Sequence, residues 1–135
     1  MKNKYPQQKT DATYQSELDS LSYHVLREKG TERPFTGKYD RHFEAGTYHC
    51  KACDMPLYES QSKFDSGCGW PSFDAAVPGA IEYLKDESHG MLRTEIICAH
   101  CGSHQGHVFD DGPTATGLRY CVNSVSINFK THQKE

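Results

Sequence analysis

The sequence predicts a mainly β domain, an antiparallel sheet or small barrel-like core with N-terminal helices packed outside it. Three observations carry this expectation. Helical periodicity is confined to residues before Gly30, short β-rich pieces alternate with Gly, Pro, Asp and Ser from Thr47 onward, and 135 residues suffice for one domain with a single core.

Along the chain, residues 1–10 and the polar tail 131–135 are expected to be flexible, which leaves 11–130 as the single domain. Tyr14, Leu18, Leu21 and Val25 recur at helical spacing between Thr13 and Lys29; Asp19 can cap a second segment, and Gly30 is a natural stop. The expectation is one helix, or two short ones broken near Asp19. The passage TERPFTGKYD, with Pro34 and Gly37, reads as extended or turning chain. Strand candidates follow at TYHC, PLYES, AIEYLKD, MLRTEIIC, GHVF and RYCVNSVSINFK. In the last of these, alternation puts Arg119, Cys121 and Asn123 on the same face as Val125, Ile127 and Phe129. No unit of roughly 20–50 residues repeats, although a CxxC spacing occurs twice.

Composition narrows the partners. With 36% hydrophobic and 24% charged residues the chain suits a globular fold rather than a disordered one. The net charge is −3 with signs interspersed, and no Lys/Arg cluster forms the basic stripe that a phosphate backbone requires, so nucleic acid is not an expected partner. No apolar run approaches the ~20 residues of a membrane span, and the start MKNKYPQQKT has no secretory apolar segment. A cytoplasmic monomer without a membrane partner is expected. Six cysteines fall short of the density of a disulfide scaffold, and in a reducing compartment metal or redox roles come first.

Four of the six fall into two pairs: Cys50 and Cys53 form CKAC, and Cys98 and Cys101 form CAHC. A CxxC turn presents two thiolates on one side of a tight loop, and two such turns brought together make the tetrahedral Cys₄ shell that structural zinc accepts. With 44 residues between Cys53 and Cys98, the ion would staple two distant turns. Redox or buried cysteines without metal are the plainer reading, but a redox CxxC belongs beside a βαβ pattern, and none is visible. Cys98, Cys101, His104 and His107 also fall three apart and can form a Cys₂His₂ shell; that choice strands Cys50 and Cys53.

Cys68, in SGCGWPSF, and Cys121, in RYCVNS, remain. Two such thiols can simply be small buried hydrophobes. Their surroundings suggest more: Arg119 and Asn123 flank Cys121 at two residues on either side, and nearby positive charge favours the nucleophilic thiolate. Cys68 lies between Gly67 and Gly69 on a backbone that can move, as suits a thiol that joins an oxidised partner. Trp70 is either a core aromatic or the apolar wall of a shallow pocket.

The motifs SGCGWPSF, HGMLRTEI, GHVFDDGP, TGLRYCVNS and the paired CxxC units closely resemble the B-class methionine sulfoxide reductases, which reduce the R epimer of methionine sulfoxide, over nearly everything from Leu21 to Phe129. The resemblance implies two antiparallel sheets with flanking helices. It implies Cys121 as catalytic nucleophile, Cys68 as resolving thiol and Trp70 as the group packing on the substrate methyl. His104, His107, Asp111, Arg119 and Asn123 match the polar lining of the pocket, and Cys50, Cys53, Cys98 and Cys101 match the zinc shell of the zinc-containing members. Thioredoxin is the implied reductant, and oxidised methionine in proteins or peptides the implied substrate.

On this reading Cys121 attacks the sulfoxide sulfur, and the departing oxygen needs an acid. His107 is taken as that acid, with His104 and Asn123 positioning substrate or water; Cys121 becomes a sulfenic acid and condenses with Cys68. Asp111 can also be a plain turn residue of DDGP. His24, His42, His49, His89 and His132 read as surface or core histidines, and His100 as a bystander. Two other functions compete: a non-enzymatic zinc module, which expects Cys68 and Cys121 far apart, and a redox sensor, in which the CxxC thiols oxidise first.

Overall fold

The computed structural model describes residues 9–40, 42–87 and 90–131. The expectations for a flexible N-terminus over 1–8, a tail over 132–135, and for His89 and His132 lie outside the described residues.

The N-terminal segment forms two helices, α1 (Asp11–Glu17) and α2 (Ser20–Glu28), separated where the sequence places a cap. Asp19 accepts the Ser22 N–H at 2.9 Å, which satisfies one of the orphan donors at the start of α2 and ends any single-helix option. The stop comes one residue before the glycine: Lys29 takes the left-handed conformation at φ 59, and the Gly30 N–H closes on the His24 carbonyl at 3.0 Å.

Among the described residues nine short strands follow: β1 (Gly46–Cys50), β2 (Pro56–Glu59), β3 (Lys63–Phe64), β4 (Ser72–Phe73), β5 (Ile81–Asp86), β6 (Arg93–Cys98), β7 (His104–Phe109), β8 (Arg119–Val122) and β9 (Ile127–Thr131). They make two sheets, ordered β2-β1-β9 and β3-β4-β8-β7-β6-β5, with every pair antiparallel. Both sheets remain open rather than closing into a barrel. The core lies between them. Tyr58 of β2 stacks on Phe73 of β4 with ring centroids 4.5 Å apart, and Tyr48 of β1 meets the same ring edge-on at 5.1 Å.

One expectation fails at the end of the chain. RYCVNSVSINFK is not a single strand: β8 ends at Val122, Ser124–Ser126 make a 3₁₀ turn, and β9 crosses to the other sheet to pair with β1. Alternation therefore does not carry through the turn. Cys121 and Ile127 share no face, and Ile127 is packed into the core at 1% exposure. Asn123 holds the crossover, its Nδ2 donating to the Gln105 carbonyl at 3.1 Å while its Oδ1 accepts the Glu32 N–H at 2.9 Å.

Helix α2 is pinned to the second sheet by its last turn. The Arg27 guanidinium lies over the Tyr14 ring, 4.5 Å from its centroid, and donates to the Cys101 carbonyl at 3.2 Å and to Ser103 Oγ at 3.1 Å. No helix of the described residues is long and apolar enough to cross a membrane.

Candidate active site and metal centre

The two CxxC turns start at strand ends, Cys50 closing β1 and Cys98 closing β6. Each turn is tightened by a backbone bond of 2.8 Å, from the Asp54 N–H to the Cys50 carbonyl and from the Gly102 N–H to the Cys98 carbonyl. Packing of the two sheets brings the turns together, and all four sulfurs lie within 4.8 Å of one another. The close pairs join one turn to the other: Cys50 to Cys101 at 3.7 Å, Cys53 to Cys98 at 3.6 Å. A tetrahedral thiolate shell with bonds of about 2.3 Å has sulfur–sulfur edges of about 3.8 Å, whereas a disulfide needs about 2.05 Å. The cluster can hold a metal ion.

Polar groups around it orient the sulfurs, as outer contacts do at metal sites. Gln105 Nε2 donates to Cys50 Sγ at 3.8 Å, and the His100 N–H to Cys98 Sγ at 3.4 Å. Charge is already unevenly shared: hydrogen bonding, first from Cys50, holds the Cys101 thiol below its usual range, and Cys101 pushes Cys50 above it. His104 and His107 are engaged elsewhere, so the Cys₂His₂ alternative does not occur.

The second group of thiols lies on the larger sheet. Ser72 of β4, Cys121 of β8, His107 of β7 and Glu95 of β6 are successive register partners, which puts them in one row on one face. Alternation along β8 buries Tyr120 and Val122 and leaves Arg119 and Cys121 half-buried on that face. Gly106 permits the close pairing of β7 with β8, because a Cβ there would collide with the Cys121 carbonyl oxygen. Cys68, in the connection from β3 to β4, brings its sulfur to 3.8 Å from that of Cys121. Its neighbours Gly67 and Gly69 have φ of 76 and 95, and a Cβ on Gly69 would meet Pro34 at 2.7 Å. Both glycines shape the turn through their positive φ, and Gly69 admits the 31–40 segment against it, a role separate from the mobility expected of them.

The two thiols shift each other in opposite directions. Arg119 does favour a Cys121 thiolate, but it is outweighed: the neighbouring Cys68 and burial push Cys121 far above the usual thiol range. The Cys121 hydrogen bond, with help from Ser66 and Ser72, draws Cys68 down to about 4 against its own burial.

A cavity of about 280 Å³ opens over this row, lined by Cys68, Cys121, Trp70, His107, Arg119 and Asn123, with Thr31, Arg93 and Phe109 completing the wall. His107 Nε2 lies 2.7 Å from Asp86 Oδ2. Burial lowers its basicity and the Asp86 hydrogen bond opposes this, with burial the larger effect. His104 stands behind the cavity rather than in its lining. It is 4% exposed, its Nδ1 is 2.7 Å from Glu95 Oε2, and its ring meets that of His107 edge-on at 5.7 Å. Hydrogen bonds from His104 and Lys29 keep the Glu95 carboxylate below its usual range despite its burial. Asp111 also stands outside the lining. It receives Arg119 in a two-pronged pair at 2.9 and 3.1 Å and so aims the guanidinium.

Sequence reasoning missed Asp86, Glu95 and Glu32. Glu32 is 2% exposed; its Oε1 accepts the Val125 N–H at 3.0 Å, and its backbone carbonyl accepts Trp70 Nε1–H at 3.0 Å. With its N–H on Asn123, one residue thus tethers two walls of the cavity. A charged residue in a Pro-containing loop gave no periodic signal that would have marked it as buried.

The SelR domain family matches residues 18–131. The chain is 57% identical over 131 residues to a peptide methionine sulfoxide reductase MsrB of Variovorax paradoxus (strain S110), covering 93% of this chain and 96% of the relative. Its counterpart from Pseudomonas putida (strain W619) is 58% identical over 127 residues, covering 91% of this chain and 96% of that one. The Agrobacterium fabrum (strain C58 / ATCC 33970) protein of the same name is 57% identical over 123 residues, covering 90% and 91%.

Proposed function

The chain belongs to the SelR family of B-type methionine sulfoxide reductases, and from that premise we propose how its own residues carry the reaction. The activity is reduction of the R epimer of methionine sulfoxide in peptides to methionine. The observation that carries the mechanism is the 3.8 Å separation of the Cys68 and Cys121 sulfurs beside His107 in one cavity.

Trp70 receives the substrate methyl group, and Asn123 and His107 face the sulfoxide oxygen. The proton on Cys121 passes to His107, whose imidazolium is stabilised through Nε2 by Asp86. The Cys121 thiolate attacks the sulfoxide sulfur while His107 protonates the oxygen, and oxygen transfer leaves methionine and a Cys121 sulfenic acid. His104 acts behind His107, its ring packed on that of the acid, and Asp111 holds Arg119 toward Cys121. Cys68 then displaces the sulfenic oxygen as water to give a Cys68–Cys121 disulfide, which a dithiol protein of the thioredoxin type reduces by exchange.

The four CxxC cysteines hold zinc as a structural ion, which joins the two sheets at their ends. The working unit is a cytoplasmic monomer. A zinc interaction module would have no use for two sulfurs this close in a cavity, so the enzyme reading is favoured over it. The test is incubation with racemic N-acetylmethionine sulfoxide and dithiothreitol, each epimer being followed separately. Loss of the R epimer alone is expected; loss of neither, or of both equally, overturns the reading.

A further inference from the structure

The β3–β4 connection carries two hydroxyls that the reaction above does not use. Ser66 Oγ donates to Cys68 Sγ at 3.0 Å and accepts the Cys68 N–H at 3.3 Å, so it grips both ends of that residue. It shares a 2.7 Å hydrogen bond with Ser72 Oγ, which itself lies 3.5 Å from Cys68 Sγ. Ser72 is fully buried and stands opposite Cys121 in the β4–β8 register. Two linked hydroxyls therefore converge on one sulfur, from the loop side and from the sheet side.

We propose that the Ser66–Ser72 hydroxyl pair activates Cys68 as the resolving nucleophile. This deepens the function above and rests on the resolving role read there for Cys68. A thiolate half-withdrawn from water needs donors to replace its hydration, and a charge-assisted hydrogen bond favours the ionised form over the thiol. The low position of the Cys68 thiol comes first from its hydrogen bond with Cys121, and Ser66 and Ser72 add to it. In the outer cleft that Ser66 and Cys68 share with Asp65, Asp111 and Arg119, the guanidinium is paired with Asp111.

The step served is the second one. The Cys68 thiolate attacks Cys121 Sγ; the S–S bond forms as the Cys121 S–O bond breaks. The oxygen departs with the proton of the sulfenic acid and a second proton taken from solvent in the open cavity, leaving as water. The Cys68 sulfur is oxidised and the sulfenic sulfur reduced, both to the disulfide level. The serines persist unchanged, Ser66 donating to the sulfur until it bonds while Ser72 supports Ser66 through the hydroxyl–hydroxyl bond.

The test compares the parent protein with Ser66→Ala, Ser66→Thr and the double variant Ser66→Ala/Ser72→Ala. The reduced proteins are labelled with iodoacetamide across pH, and the Cys68 peptide is quantified by mass spectrometry. The proposal expects the midpoint of Cys68 labelling to move up by about one unit in Ser66→Ala, so that labelling falls severalfold on the acid side of the parent midpoint and little at about pH 6, and Ser66→Thr to recover most of the shift. In a single turnover without reductant, the ratio of disulfide to methionine formed should fall with it. An unchanged labelling profile in the double variant overturns the proposal, as does a loss of methionine formation equal to the loss of disulfide. A Cys68→Ser control separates the two failures: if it recycles with a dithiol protein as fast as the parent, the resolving role itself is wrong, whatever the serines do.

Discussion

Two places in this molecule hold cysteine sulfurs at nearly the same separation, 3.6–3.7 Å in the CxxC cluster and 3.8 Å between Cys68 and Cys121, and they differ in everything else. The cluster has four sulfurs, three of its residues are buried, and its contacts are backbone and amide donors that fix sulfur positions. The pair has two half-buried sulfurs, an imidazole, a guanidinium and two hydroxyls nearby, and it opens to a cavity. Sulfur spacing alone therefore does not assign a role. Donor count and access do: four converging sulfurs suit a cation, while two sulfurs beside acids and open space suit exchange.

The largest effects come from breaking one region and reading both. Cys121→Ser should bring sulfoxide reduction down to the uncatalysed background with metal content unchanged; Cys98→Ser should release the metal and lower Tm by roughly 10 °C, an effect of about 3 kcal/mol. Turnover assays, metal analysis and calorimetry on the two variants check this. Metal loss in Cys121→Ser, or an unchanged metal content in Cys98→Ser, would erase the distinction between the regions.

A smaller effect sharpens the pair itself. His107→Gln should slow methionine formation by roughly 10²- to 10⁴-fold and leave the metal in place. The pH dependence follows from the direction of the shift. Burial keeps the imidazole neutral to lower pH than usual, so the form that accepts the Cys121 proton is present above its depressed pKa and is lost as pH falls through it. Single-turnover methionine formation should therefore rise with pH through a midpoint below 6.5. A rate that instead fell through that midpoint would mean that His107 must already be protonated, with Cys121 deprotonated by another group.

The smallest expected effect concerns Glu32. Burial raises its carboxyl, so Glu32→Gln should preserve the tether, whereas Glu32→Ala should raise KM several-fold and shift the emission of Trp70, the single tryptophan. Linkage gives the sign: a carboxyl raised by burial is stabilising when protonated, and that contribution is lost as pH rises through and above the ordinary glutamate value. Equal Trp70 emission in the parent and Glu32→Ala would remove Glu32 from the pocket.

Much of this was legible beforehand because it is local. Asp19 caps α2 by reaching its own first turn, and the CxxC turns close on themselves through bonds spanning four residues. The crossover at Asn123 was not legible, because its cause is distant: the Glu32 N–H and the Gln105 carbonyl, which hold it, lie far away in sequence. Nor was the place of His104, whose partner Glu95 belongs to the preceding strand, nor the two hydroxyls of Ser66 and Ser72 that meet the Cys68 sulfur.

By itself the sequence determined that the domain is mainly β behind a helical N-terminal segment, that four cysteines occur as two chelating turns, and that Cys68 and Cys121 stand apart from them. These follow from periodicity and spacing, which act over a few residues. Only the tertiary structure decided that the two sulfurs of the pair meet, which carboxylate holds each histidine, and that Glu32 ties Trp70 to Asn123. Burial and hydrogen bonding set those outcomes, and both depend on neighbours that the two sheets and the 31–40 segment bring together from distant parts of the chain.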